Sequence, residues 1–401
     1  MVCRLSRLLL WLILAFMPGQ GAMAQNRWFD LPPSVQLHGF LSQAAIHTSD
    51  NNFFGETDDN VDFGFREIGL NGSWRILPRL QLSLQVLSRE AGGGDDGDLR
   101  IDYGFADYSV IADADDLWGI RIGRVTNPLG LYNDTRDVAF TRPSILLPQS
   151  IYFDRTRNLA LSADGVQLYG ERRTDLGDFY LQLNLAYPRT DDPDIEVSFL
   201  GADFPGELAD DPSFLGRLLY ERNGGQLRLG VSGGMVNIDY QAGTADPLTS
   251  GSILFAPLIF SAQYNAEYWS LTGEWAIRRF ETEDIFTRLG QRHVEVTGES
   301  WYIQGSYRFR PDLEGFVRYD VLYTDRDDRD GEEAGPGRPS YSRYAKDFTV
   351  GLRWDVTPSF MLRAEIHDVE GTAWLPFQDN PFAGATTKDW TMFMILGSYR
   401  F

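Results

Sequence analysis

From about residue 35 onward, hydrophobic and polar positions alternate with a period of two. In 80–90, Leu80, Leu82, Leu84 and Val86 alternate with Gln81, Ser83 and Gln85. In 179–187, Phe179, Leu181, Leu183, Leu185 and Tyr187 alternate with Tyr180, Gln182, Asn184 and Ala186. Successive strand side chains point to opposite faces, so each such segment has one apolar and one polar face. The pattern predicts sixteen strands, near 35–47, 62–76, 80–90, 99–112, 118–126, 163–172, 178–188, 214–223, 226–238, 253–265, 268–281, 298–310, 312–324, 347–356, 359–369 and 389–401. Alternation is blurred in the first, fourth, fifth and tenth.

The connections are of two kinds, and the kinds alternate. Leu77-Pro78-Arg79, Asn223-Gly224-Gly225, Arg310-Pro311-Asp312 and Thr357-Pro358-Ser359 have tight-turn compositions. The others are long and polar, near 48–61, 91–98, 127–162, 189–213, 239–252, 282–297, 325–346 and 370–388. In an up-and-down sheet, alternate connections share an end. All short turns therefore lie at one end and all long loops at the other.

Strands of a soluble sandwich run near 5–6 residues. Most here are about twice that, the length that crosses a bilayer when tilted. Aromatics flank the apolar faces: Trp74, Tyr187, Tyr220, Trp269, Trp301, Phe309, Tyr323, Trp354 and Tyr399. The expected fold class is an all-β transmembrane antiparallel up-and-down barrel of about 16 strands, with aromatic girdles at both interfaces.

The N-terminus agrees. Arg4 and Arg7, an apolar run over 8–17 and Ala22-Met23-Ala24 form a secretory signal expected to be cut after Ala24. Residues 1–24 are then a signal peptide and 25–401 the barrel, with no plug domain before strand 1. Cys3 is the one cysteine and leaves with the signal, which excludes disulfides and thiol chemistry from the mature chain. A net charge of −21, with lysine only at Lys346 and Lys388, argues against nucleic acid as a partner, since phosphate contacts need clustered cations.

The stretch 123–157 fits neither strand alternation nor a helical stripe. Pro128, Pro143 and Pro148 interrupt it, and charges of both signs crowd together. Proline lacks an N–H and pushes the preceding residue out of the helical region, so no long helix is expected. Structureless connections of this length inside a compact domain are rare and usually functional. Here the expectation is an inward-folded loop, 126–160, that narrows a pore.

Sixteen strands, short turns, long loops and a distinctive third long loop after strand 5 resemble the sixteen-stranded Gram-negative outer-membrane porin superfamily. The run Gly123-Arg124-Val125-Thr126-Asn127-Pro128-Leu129-Gly130 is similar to a G-R-x-x-x-P-x-G pattern of a porin-like subgroup, itself distantly similar to phosphate-selective and DcaP-like porins. The last strand, with Phe393, Ile395, Gly397, Tyr399 and Phe401 on one face, is similar to the terminal signal that the barrel assembly machinery reads. The resemblance implies the outer membrane, contact with lipid and lipopolysaccharide, a homotrimer, no cofactor and passive diffusion of small hydrophilic solutes. The near absence of lysine departs from the phosphate-selective type.

A barrel of this size leaves an aqueous channel. The registers place Arg75, Arg89, Arg217, Arg228, Arg278, Arg308, Arg318, Arg353 and Arg363 on the polar inner face, with Glu67, Glu171, Glu221, Glu274, Glu314, Asp320, Asp355 and Glu365. On the lipid side each arginine would cost roughly 2–4 kcal/mol at the midplane. The loop adds Asp134, Arg136, Asp137, Arg142, Asp154, Arg155 and Arg157, with Tyr132, Tyr152 and Phe153. Opposed charges across a narrowing favour polar solutes, and rings of side chains set ion preference. Weak anion preference or near neutrality is expected. The same residues could instead brace the loop against the wall; the sequence leaves both open.

Three further readings stand beside this one. The acidic loops (Asp58, Asp59, Asp62; Asp191, Asp192, Asp194; Asp325, Asp327, Asp328, Asp330) offer oxygens to Ca²⁺, although solvated surface explains them as well. The four histidines His38, His47, His293 and His367 lie in no nucleophile or zinc motif, so an enzyme such as an outer-membrane hydrolase is not expected. The long loops leave a non-conducting receptor or adhesin as the alternative.

Overall fold

The computed structural model describes residues 31–190, 193–287, 290–291, 293–335 and 337–401; the expected signal segment and its cleavage site fall outside these. The barrel strands are β1 (Val35–Thr48), β2 (Phe65–Leu77), β3 (Leu80–Ala91), β4 (Asp96–Ala112), β5 (Asp116–Thr126), β6 (Ser162–Thr174), β7 (Gly177–Pro188) and β8 (Ser213–Arg222). They continue as β9 (Leu227–Gln241), β10 (Gly251–Asn265), β11 (Trp269–Glu283), β12 (Val294–Arg310), β13 (Leu313–Tyr323), β14 (Tyr344–Thr357), β15 (Phe360–Gly371) and β16 (Asp389–Arg400). Every neighbouring pair is antiparallel, and β1 pairs with both β2 and β16, which closes the sheet. Closure removes both edges, as lipid requires.

At the seam, Phe401 and Gly39 exchange backbone hydrogen bonds of 3.0 and 3.2 Å. The Phe401 ring covers Gly39 so closely that a Cβ there would lie 2.3 Å from ring carbon Cζ. A side chain at that position would have to displace the Phe401 ring.

Burial is inverted relative to a water-soluble domain. Leu168 is 49% exposed and Ile366 57%, while Gln167 and His367 are fully buried. Along β6 and β15 the apolar side chains therefore face outward and the polar ones inward. The same split runs through β2, β3, β13 and β14, where Ile68, Leu84, Val317 and Val350 are exposed and Glu67, Gln85, Arg318 and Asp347 buried. Such a wall suits a solvent that is apolar outside.

Two of the blurred strands have a clear cause. Register shifts interrupt the pairing of β4 with β3 between Gln85 and Val86, and with β5 between Ser109 and Ile111. An extra residue swaps the faces of all that follow. In β10, Ile253 and Ile259 lie inward although they are apolar. They share a buried cluster with Ile195 and Leu200 of a helix, Pro193–Leu200. That helix and a short strand, Glu207–Asp210, lie in the stretch expected to be a loop; the strand pairs with the end of β9.

At the long-loop end, the Asp379 carboxylate accepts N–H groups from Phe54 at 2.9 Å, Gly55 at 3.4 Å and Gly93 at 2.8 Å. It thereby ties together the loops after β1, β3 and β15.

Candidate pore constriction

The segment 127–161 leaves β5 and returns to β6 with little regular structure. It holds two 3-10 turns, Asn133–Thr135 and Asp154–Thr156, and one helical turn, Arg157–Leu161. Its base is closed by the Asn127 N–H to the Leu161 carbonyl at 2.9 Å. The Asn133 side-chain amide bridges the carbonyls of Asn127 and Ala160, each at 2.8 Å. Most of the segment is buried, with Thr135 and Thr141 exposed and the stretch 153–156 half-buried. Buried backbone groups must find partners, and those of this segment find them on the inner faces of distant strands.

On β2, Glu67 takes two hydrogen bonds from Arg142, at 2.9 and 2.7 Å. On β3, Arg89 donates to both oxygens of Asp154 at 3.1 and 2.9 Å, and Arg136 lies 3.7 Å from the same carboxylate. On β8, Arg217 pairs with Asp134 and donates to the Gly130 carbonyl at 2.8 Å. On β15, Glu365 accepts the N–H groups of Ile145 and Leu146. On β13, Arg318 donates to Ser144 Oγ at 2.9 Å and to the Leu146 carbonyl at 3.1 Å, and Asp320 accepts the Ser150 N–H at 3.3 Å. Arg278 of β11 donates to the Ser150 carbonyl.

The tightest knot is at Glu274 of β11. It accepts from Tyr152 Oη at 2.6 Å, Tyr302 Oη at 2.9 Å, Ser261 Oγ at 2.6 Å and the Leu131 N–H at 3.0 Å. Tyr152 Oη in turn accepts the N–H groups of Leu131 and Tyr132. The chain turns here through Gly130 at φ 58°, where a Cβ would lie 2.5 Å from Tyr152 Oη. Both the left-handed backbone and the lack of space call for glycine. Burial and the Glu274 carboxylate push the neighbouring Tyr132 phenol up to about 12, so it stays protonated at neutral pH.

The charged loop residues fall into two groups. Arg136, Asp137, Arg142 and Arg157 are 4–5% exposed. Arg157 pairs with Asp137 within the segment itself. Burial lowers Arg136 to about 10, against the pull of Asp154. Asp134, Asp154 and Arg155 are half-buried. The Arg155 guanidinium lies 3.4 Å from the centre of the Phe377 ring and donates to the Ala373 carbonyl at 3.1 Å.

On the wall, Arg228 pairs with Glu221 at 2.7 Å, Arg353 with Asp355 at 2.9 Å and Arg308 with Glu314 at 3.7 Å. Glu171 takes Arg173 at 2.7 Å, and Arg75 lies exposed near the short turn after β2. Several partners were not singled out in the sequence. Asp95 gathers Arg89 and Arg100, and Gln85 bonds Asp102 at 2.8 Å. His367 lies 2.9 Å from Asp347 and 3.5 Å from Glu365. The parity of Asp347 and His367 along β14 and β15 was the available signal. Of the acidic loops, Asp325 and Asp328 accept N–H groups from their own turns; Asp191 and Asp192 lie outside the described residues.

No family model matches the sequence. No curated protein matches it either. Solved structures do match over 92% of this chain. They include the outer membrane channel DcaP of Acinetobacter baumannii (11% identity, 97% of that chain, TM-score 0.59) and an anion-selective porin from Comamonas acidovorans (12%, 99%, 0.58). A third is OmpT, an outer membrane protein of Vibrio cholerae in its trimer form (11%, 99%, 0.57). The fold is that of the sixteen-stranded porins. At these identities the likeness speaks for the barrel alone. Among the described residues no helix is long and apolar enough to cross a membrane, which says nothing against crossing by strands.

Proposed function

We propose that this chain is an outer-membrane porin through which small hydrophilic solutes and ions diffuse passively, with segment 126–160 lying across the lumen as its constriction. One observation carries the reading. A single connection is bonded to inner-face side chains of β2, β3, β8, β11, β13 and β15, which lie around the whole circumference of a closed barrel. Only a segment that crosses the interior reaches all of them. The outer-membrane location rests on the apolar exterior and on the barrels it resembles. A homotrimer is supported by the trimeric OmpT alone.

The loop charges act first as braces and second as a filter. Ion pairs hold Arg136, Arg142, Arg157 and Asp137 in the buried part of the segment, while Asp134 (paired with Arg217), Asp154 (paired with Arg89) and Arg155 (on the Phe377 ring) sit at its half-buried positions. Conductance is therefore small and charge preference weak, toward anions or near neutral. The burial of the segment favours one second reading, a barrel too tightly filled to conduct, serving as a surface receptor.

Recordings in planar bilayers separate the two. Stepwise conductance that rises when 131–151 is deleted supports the porin. A folded, inserted barrel that never conducts, or one strongly selective for cations under a KCl gradient, overturns it.

A further inference from the structure

The outer face of β11 and β12 carries, at the long-loop end, a group of side chains that the pore does not use. Glu281 of β11 and Glu295 of β12 are direct cross-strand partners. Thr282 is buried on the inner face, in step with Glu274, so Glu281 points outward on the side of Trp275 and Ile277. Glu295 shares that side, as the register requires. Two acids set opposite one another repel and destabilise a sheet unless a cation intervenes. Arg279, exposed on the same face, approaches Glu281 Oε2 at 2.6 Å and Glu295 Oε1 at 3.1 Å. One oxygen of each carboxylate remains for a second cation.

His293, the residue before β12, stands beside them. Its Nδ1 lies 2.6 Å from the Thr282 carbonyl. A carbonyl only accepts, so Nδ1 carries the proton of the neutral ring and Nε2 presents its lone pair. That is the backing that fixes the tautomer and the ring plane of a metal-ligating histidine. Ligand atoms of Glu281, His293 and Glu295 all lie within 4.8 Å of one another, and no other set of three such donors occurs among the described residues.

We propose that Glu281, His293 and Glu295 form a zinc-binding site on the outer rim of the barrel, with water in the fourth position. One imidazole and two carboxylates leave zinc the open position it keeps when only three side chains bind it. Calcium and magnesium prefer oxygen alone, so the histidine selects against them. Tetrahedral donors about 2.1 Å from zinc stand roughly 3.4 Å apart. The three side chains therefore draw together slightly, which long glutamates at a rim can do without moving the strands. Arg279 keeps the second oxygen of each carboxylate and orients both, as outer-shell partners of ligating carboxylates do.

Bound there, the ion ties the end of β11 to the start of β12 and clamps both ends of the connection 284–293. It lies outside the wall and away from the lumen. The site rests on the barrel fold alone and holds whether or not the barrel conducts.

The test is calorimetric titration of the folded, tag-free full-length barrel in detergent with zinc chloride, and separately with calcium chloride. One zinc per chain is expected, with calcium bound at least about tenfold more weakly. H293Q and the E281Q/E295Q double variant should each weaken zinc about tenfold or more. All three positions reach water at the rim, and gel mobility before and after heating verifies that the variants fold. H47Q is the control. His47 is exposed at the same end, and its Nδ1 also meets a carbonyl, that of Thr57 at 3.0 Å, but no pair of carboxylates is grouped with it. It should bind zinc as wild type does. Absence of saturable zinc binding, an affinity unchanged in H293Q or in E281Q/E295Q, or an equal loss in H47Q overturns the site. Calcium bound as tightly as zinc overturns it too, and leaves only a solvated acidic rim.

Discussion

Arg142 and Glu67, 75 positions apart in sequence, meet in a two-pronged ion pair whose side chains are only 5% and 1% exposed. The pair joins the middle of segment 127–161 to β2. Removing one member of such a pair strands the other charge, at a cost of about 3–5 kcal/mol. R142Q and E67Q should each lower the urea midpoint of the folded barrel, while E67L/R142L should recover part of the loss. If both single variants unfold at the wild-type midpoint, the pair does not anchor the segment.

Tyr152 links three groups through one oxygen: the Glu274 carboxylate and the N–H groups of Leu131 and Tyr132. Y152F leaves the Tyr132 N–H without its acceptor, leaves the Leu131 N–H with Glu274 alone and removes one donor from Glu274. Leaving buried groups unsatisfied costs about 1–3 kcal/mol. Hydrogen exchange at Leu131 and Tyr132 should quicken about tenfold or more, with the strands unaffected. Unchanged protection would mean that Glu274 alone holds this turn.

Asp379 gives the outer loops a defined response to pH. Burial raises its carboxyl above the ordinary value, against three N–H donors that pull it down, and Asp62 adds repulsion. An acid with a raised folded pKa contributes stability at low pH that is lost as pH rises through the folded value. The amides of Phe54 and Gly93 should therefore be better protected near pH 4 than at pH 7, after correction for intrinsic exchange. D379N should flatten that dependence. Protection that instead grows toward neutral pH contradicts the assignment.

Leu168 sits at the centre of β6 on the outer face, beside the buried inner-face Gln167. If that face meets lipid, L168R costs about 2–4 kcal/mol near the bilayer midplane. The loss should appear in refolding into liposomes. A variant as stable as wild type in bilayers would remove β6 from the lipid boundary.

Much of this was legible in the alternation. The parity of Leu82, Leu84 and Val86 against Gln81, Ser83 and Gln85 gave the two faces of β3, and the tight turns gave the ends. The inner-face placement of Glu67, Arg89, Arg318 and Arg363 followed from parity as well. Partners were a different matter. Nothing local couples Arg142 to Glu67 or Ile145 to Glu365, because the loop's path decides which wall residue each one meets. The helix Pro193–Leu200 escaped notice because its apolar side chains face the inward isoleucines of β10, and neither half of that contact shows a clean period on its own. Nothing local sets Tyr152 apart from the other loop aromatics; its hydroxyl matters only once Glu274 is opposite.

The anchors of segment 127–161 come from both halves of the chain. Glu67 and Arg89 precede it in sequence, while Arg363 and Glu365, which hold the Arg142 carbonyl and the Ile145 N–H, lie near the other end. The segment therefore stitches early strands to late ones, and its full set of anchors exists only in a sheet that contains both β2 and β15.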